Sequence, residues 1–296
     1  MKSQTNNTEA MVNLGSDYIK DFPITASLIS AMKEPYCERK LIETKLRIDS
    51  KERPNLNMLK GLFFESLCLG ESSDGSVTKN LPRLKTGKKS IDQIRIEIQA
   101  DNFKKVCDLY KIKVLSVQLE VKGTHKATTR ALMGHIDIVG TIEEEVIQPH
   151  SVFDPKPANY QEKKIIEVGC IIDLKLTANI NAGGDWSWKH PYNMPSTQPA
   201  MYTRLMEENL SKTLPFYYMV FDYSTAMDFV IIKKNIGILE QSELDVDIKR
   251  VSDTLDDMHN NSLREIKYHP TYQGCMSCVL KTRCSHAILK KPIIVV

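Results

Sequence analysis

Apolar and polar positions change period several times along the chain, and each change marks an element. From Ile24, the segment ITASLISAMKEPYCERKLIETKL places Leu28, Ile29 and Met32 on one helical stripe, with Thr25 or Ser27 as cap and Pro35 as an interruption. A second helical stretch covers Glu38 to Leu46, with Leu41 and Ile42 on one side. After a polar loop over 47–57 containing Pro54, apolar residues at Met58, Leu59, Leu62, Phe63, Leu67 and Leu69 return to helical spacing, with Glu65 inside the run and Gly70 as the stop. Residues 91–111 read as a further helix, with Phe103, Val106, Cys107 and Tyr110 spaced for one buried face.

From Lys111 the period drops to two. Ile112 and Val114 alternate, slip, and resume as Val117, Leu119 and Val121, which predicts a strand. THKATTR makes a hairpin loop and ALMGHIDIVGTI the returning strand, with Asp137 in its middle although Asp is depleted in strands. Residues 143–163 read as a polar excursion with Pro149, Pro155 and Pro157. The third strand, IIEVGCIIDLKLT from Ile165 to Thr177, is β-branched and apolar enough for burial on both faces. A loop with Trp186 and Trp188 leads to a helix from Gln198 to Leu210 with Pro199 near its first turn, then a hairpin of two strands and a helix over SELDVDIKRVSDTLDDMHNN. Hairpins and a crossover both occur, so the expected fold is α/β, with a mixed central β-sheet flanked by helices and helical arms at both ends. The expected divisions are a flexible N-terminus (1–23), a helical arm (24–57), a central core (58–240) and a C-terminal helix with a cysteine region (241–296).

Composition narrows the class. Of 296 residues, 42% are hydrophobic and 26% charged, which suits a globular chain with a real core. A net charge of +3 permits nucleic-acid binding without arguing for it. Lys79, Arg83, Lys85, Lys88 and Lys89 form a basic, turn-rich stretch that reads first as a solvated loop and second as a phosphate-backbone contact. No apolar run approaches the roughly 20 residues that span a bilayer, and MKSQTNNTEA lacks the apolar core of a signal peptide, so a cytoplasmic location, in a bacterial cell or phage-infected host, is expected and a membrane partner is not. Seven cysteines, an odd number, do not read as a disulfide framework. Cys68, Cys107 and Cys170 stand singly among apolar residues and read as packing, whereas Cys275, Cys278 and Cys284 cluster.

The candidate chemistry starts at Asp173-Leu174-Lys175. Strand alternation places Asp173 and Lys175 on one face, and a neighbouring strand brings Asp137. An ordinary ion pair at a strand end is the plain reading. Two carboxylates with a nearby carbonyl, that of Leu174, are also hard oxygen ligands suited to Mg²⁺ or Mn²⁺. Such an ion acts on a phosphodiester by neutralising charge and lowering the pKa of water. Lys175 would position that water or take its proton, and Glu65 would supply a further ligand. Gln198 and Tyr202, at i and i+4 on one helix face, would hold the substrate backbone. Trp186 and Trp188 would either stack bases or plug a core edge.

These residues resemble the motifs of the PD-(D/E)xK nuclease superfamily, RecB-like branch: Gly61-Leu62-Phe63-Phe64-Glu65, Gly134-His135-Ile136-Asp137, Ile172-Asp173-Leu174-Lys175 and Gln198-Pro199-Ala200-Met201-Tyr202, in order across most of the chain. Many RecB-like members carry His where this chain has Glu65. A second resemblance lies in Cys275-x₂-Cys278-x₅-Cys284 with a distant Cys37, similar to the iron–sulfur clasp of AddB-type and CRISPR-associated RecB-like nucleases. The resemblance implies a structural [4Fe–4S] cluster on Cys37, Cys275, Cys278 and Cys284 that ties the two arms together; Cys₃His zinc with His286 is the alternative. It also implies a Mg²⁺- or Mn²⁺-dependent deoxyribonuclease, an exonuclease on DNA ends or single strands in phage or bacterial recombination, repair or end processing. A CRISPR-adaptation nuclease and a non-catalytic DNA-binding or assembly module on the same fold are the rivals. No GxxxxGK[ST] motif occurs, so unwinding would need a helicase or recombination partner.

Overall fold

The computed structural model describes residues 17–33, 36–46, 55–71, 80–82, 87–148, 162–183 and 186–261, with Cys275, Met276, Cys278, Cys284 and Ala287. Lys79, Arg83, Lys85, His286, Pro35, Pro54 and the three prolines of the 143–163 segment lie outside the described residues, as does the expected flexible N-terminus up to residue 16. Among the described residues no helix is long and apolar enough to cross a membrane. The chain forms two compact units, residues 54–123 with 133–241, and residues 1–53 with 124–132 and 242–296.

The first unit is built on a mixed sheet of five strands in the order β1-β2-β3-β4-β5. These are β1 (Lys113–Thr124), β2 (Ala131–Gln148), β3 (Glu162–Thr177), β4 (Phe216–Asp222) and β5 (Phe229–Lys234). β2–β3 and β4–β5 are antiparallel, and β3–β4 is parallel. The parallel pair requires a crossover, supplied by the helix α6 (Thr197–Leu210). Two earlier helices, α4 (Leu56–Leu69) and α5 (Ile91–Leu109), belong to the same unit. Helix α4 starts where Asn55 Oδ1 accepts the Met58 N–H at 2.9 Å, two residues before the apolar run, and ends at Gly70 with φ 88°. Helix α5 starts where Ser90 Oγ accepts the Gln93 N–H at 3.1 Å.

Alternation then sorts the sheet's faces. Ile138, Cys170, Ile172, Leu174, Met219 and Phe221 join one core with Phe63 and Phe64 of α4 and Ile96 and Phe103 of α5. The Phe64 and Phe221 rings lie 5.3 Å apart, and each such buried side chain contributes about 2–3 kcal/mol. The opposite face carries Ile171, Asp173, Phe216 and Tyr218. The Tyr202 ring of α6 sits 6.2 Å from that of Phe216. All seven residues of β4 are buried, as a central strand covered on both faces should be.

Two expectations need correction. Residues 143–148 and 162–164 are strand rather than polar excursion, because the β2–β3 ladder runs on to Gln148↔Glu162. The backbone ladder carries this extension, with an exposed ion pair across it, Lys163 Nζ 2.6 Å from Glu145 Oε1. Residues 17–23 also include ordered structure, a short helix α1 (Asp17–Lys20) with Ile19 fully buried.

The second unit holds α1, α2 (Ala26–Ala31), α3 (Glu38–Thr44), the β1–β2 hairpin loop and α7 (Ile238–Asn260) from Ser242 on. Thr25 caps α2, accepting the Leu28 N–H at 3.1 Å. Helix α7 buries Leu244, Ile248, Val251, Leu255 and Met258, one stripe at helical spacing. The hairpin loop is fastened to it twice. His125 Nε2 lies 3.1 Å from Asp245 Oδ1. The buried Arg130 guanidinium donates to Asp256, to Ser252 Oγ and to the carbonyls of Ile19 and Lys20.

Candidate active site

Strand register assembles the site. Moving toward the site, the β2–β3 ladder ends with Ile138 opposite Ile172, and the next position brings Asp137 to face Asp173. There a side chain replaces the backbone pairing: the Leu174 N–H donates to Asp137 Oδ2 at 2.7 Å. The N–H and C=O of one strand residue point to the same side, so the Leu174 carbonyl shares the edge that Asp137 occupies. The Leu174 side chain is 3% exposed and packs in the core.

Asp137 and Asp173 are 4% and 2% exposed. Burial raises the carboxyl pKa of both; the charge of Asp173 adds to the rise at Asp137, while Lys175 works against it at each. Asp173 is held on both oxygens: Oδ1 accepts from Gln198 Nε2 at 2.8 Å, and Oδ2 lies 2.5 Å from Lys175 Nζ. Burial pulls the Lys175 ammonium down, but the charges of Asp173 and Asp137 outweigh it and hold the group above its ordinary value. The Lys175 side chain as a whole remains about a third exposed, at 34%, with its ammonium held against Asp173.

Helix α6 delivers Gln198 and Tyr202 on one face, as their spacing predicts. Gln198 orients Asp173. Tyr202 is buried, which pushes its phenol up to about 12, with the Asp173 charge adding to the effect. Gly134 is needed here for close approach: a Cβ on it would lie 2.7 Å from Tyr202 Cε1. Glu65 on α4 is half-buried, and its charge is felt at Asp137, whose pKa it raises. It does not complete a three-carboxylate cluster, since among the described residues no three His, Cys, Asp or Glu side chains come together to hold a metal.

The two buried carboxylates and the adjacent carbonyl are hard donors with one ammonium between them. The donor set leaves buried negative charge uncompensated, and it fits a Mg²⁺ or Mn²⁺ ion. The cysteines differ. Cys37, Cys275, Cys278 and Cys284 are all half-buried, and among the described residues no three of them gather into a metal-holding group. Cys275 and Cys278 are linked by a turn in which the Cys278 N–H donates to the Cys275 carbonyl at 3.1 Å. Cys170 is buried, with its thiol pushed up to about 12 by burial. Cys68 and Cys107 pack against the same core.

Three features escaped the sequence. Tyr218 lies opposite Asp173 in the parallel register, and its phenol is pushed up by burial and then by the Asp173 charge. Trp188 packs on Tyr218 with ring centroids 5.4 Å apart, and Trp186 on Trp188 at 4.9 Å. A third buried aspartate, Asp222, does different work: it accepts the Ile180 N–H at 3.0 Å and the Ser224 N–H at 2.6 Å, closing the loops beyond β3 and β4. The YYMVFDY run carries no mark of which tyrosine would face Asp173, because parallel register is set by the crossover.

No protein-family model matches the chain, and no curated protein matches it. Among solved structures, a protein from Eubacterium rectale named "Putative exonuclease" is similar along 99% of this chain and 97% of its own, with a TM-score of 0.54 and 15% sequence identity. At that identity the likeness shows a shared fold.

Proposed function

We propose that this protein is a Mg²⁺- or Mn²⁺-dependent deoxyribonuclease of the RecB-like kind, acting on DNA ends or single strands. The observation that carries the reading is the facing pair of buried aspartates with the Lys175 ammonium 2.5 Å from one of them. Burial opposes leaving two such carboxylates together unless a cation joins them. The name of the E. rectale neighbour agrees with this reading.

A bound Mg²⁺ or Mn²⁺ would supply charge neutralisation at the phosphoryl oxygens and acidify water. Asp137, Asp173 and the Leu174 carbonyl would hold it. Lys175, fixed by Asp173, would orient the attacking water in line with the scissile bond. Gln198 keeps Asp173 in its rotamer, and Tyr202 walls the site beside Gly134. Glu65 would act on Asp137 through its charge or a bridging water. Recombination, repair or end processing in a bacterial cell or infected host would use such an activity. With no P-loop in the sequence, a partner would do the unwinding. The proposal extends to a [4Fe–4S] cluster on Cys37, Cys275, Cys278 and Cys284, supported by their spacing and by their membership of one unit. Assembly would have to draw the thiols together.

End-labelled single- and double-stranded DNA with Mg²⁺ or Mn²⁺ tests the activity. Wild type should cleave, and Lys175→Ala should lose about 10²–10³-fold, the cost of one preorganised electrostatic group. A wild type inert on both substrates would favour the non-catalytic DNA-binding module. Anaerobic purification should yield a brown protein with stoichiometric iron and sulfide; a colourless protein carrying zinc would reject the cluster.

A further inference from the structure

The proposed chemistry leaves Trp186 and Trp188 unused, and they lie one ring away from it. Tyr218 stands beside Asp173 in the sheet, Trp188 meets Tyr218 at 64°, and Trp186 meets Trp188 at 83°. The turn that presents Trp188 is closed twice, by Ser187 N–H to His190 O at 3.2 Å and His190 N–H to Ser187 O at 2.9 Å. Lys189 at its tip is tied to Asp228 at 2.5 Å. Rings serving only as plugs in this face are sealed: Phe216 is 0% and Tyr218 5% exposed. Both indoles remain partly open to solvent. A closed turn thus holds a partly exposed aromatic pair against Tyr218, the register partner of Asp173.

We propose that Trp188, backed by Trp186 and Tyr218, stacks a nucleobase of the DNA strand whose phosphate lies at Asp137 and Asp173, and so favours single strands or frayed ends. This deepens the nuclease reading and rests on it. Stacking needs an unpaired base face and tolerates any base. Duplex DNA, whose bases already stack on each other, gains from the site only by opening.

The chain contains two tryptophans, Trp188 in this turn and Trp186 immediately before it, so native tryptophan emission reports on the site alone. The full-length protein is titrated in EDTA with a dT oligomer and with an abasic oligomer of the same length, which keeps the phosphates and lacks the bases. Binding is followed in parallel by fluorescence anisotropy of labelled oligomers. Emission should be quenched in step with dT binding and stay unchanged with the abasic strand. Trp188→Ala should weaken dT binding roughly tenfold, within the range for loss of one base stack, and leave abasic binding unaltered. Trp188→Phe should retain most of the affinity while the quench shrinks, which separates stacking from misfolding. Equal affinity for dT and abasic strands, or dT binding without quenching, overturns the proposal. If DNA is cleaved while emission does not move, the nuclease reading stands and the stacking site falls. If DNA is neither bound nor cleaved, both fall.

Discussion

Replacing Asp137 by Asn should stabilise the metal-free protein while removing its catalytic competence. Asn keeps the shape and leaves an oxygen to accept the Leu174 N–H, now bonded to Asp137 at 2.7 Å. What it removes is one of two facing carboxylates, each under 5% exposed. Directly facing strand positions place such groups about 5 Å apart, where two unit charges repel by about 3 kcal/mol at an effective dielectric near 20. Lys175 at 2.5 Å from Asp173 offsets part of that, leaving a net gain of about 1–2 kcal/mol, or about 2–3 °C in Tm for a chain of this size. The pH dependence follows from the raised pKa of Asp137. Its folded-state value lies above the unfolded one, so the protein has its full stability below the ordinary 3.8 and loses it as pH rises through the raised value. The Asn variant does not titrate. Its Tm advantage should therefore be absent in acid and open toward neutral pH. Calorimetry in EDTA from acid to pH 8 measures this, and adding Mg²⁺ or Mn²⁺ should raise the Tm of wild type alone. An Asn variant no more stable than wild type at pH 8, or an advantage that closes as pH rises, refutes the reasoning.

Gly134→Ala should destabilise by about 1–3 kcal/mol, since its Cβ would press the buried Tyr202 ring and the core cannot yield there; an unchanged urea midpoint would count against that packing. Arg130→Ala should cost about 2–4 kcal/mol, because it strips donors from two carbonyls and from Asp256, and hydrogen exchange should rise first around residues 19–20 and 125–132. In cluster-free protein alkylated at pH 8, Cys170 should be modified late, since with a thiol at about 12 only about 1 in 10⁴ molecules carries the thiolate. Peptide mass mapping should find Cys37, Cys275, Cys278 and Cys284, all half-buried, labelled well before it.

The order of helices and strands was legible because period and composition agree along most of the chain. The β2–β3 extension was not legible. Its charged residues, Glu143, Glu144, Glu145, Glu162, Lys163 and Lys164, read as solvated loop until the two strands pair, and pairing is not local. The aspartates, Lys175 and the Gln198–Tyr202 face were legible, since strand and helix periods alone bring each group to its place. Gln198, expected to hold substrate, also donates to Asp173, a contact its spacing alone does not reveal. The neighbours of Asp173 across the parallel register were out of reach, because a crossover's length does not say which of two adjacent tyrosines turns inward.

The unit made of residues 1–53, 124–132 and 242–296 has a history in time as well as a shape. Arg250 donates to the carbonyl of Met32 across 218 residues, so α2 leaves the ribosome long before the helix that covers it. At 5–20 residues per second this interval is roughly 10–40 s. During it Leu28, Ile29 and Met32 lack their late partners, while the sheet unit can finish once residue 241 emerges. Newly made chains thus carry an apolar N-terminal segment that waits for the C-terminus. A nascent chain stalled before residue 242 should bind chaperone through that segment, and release should follow synthesis of α7.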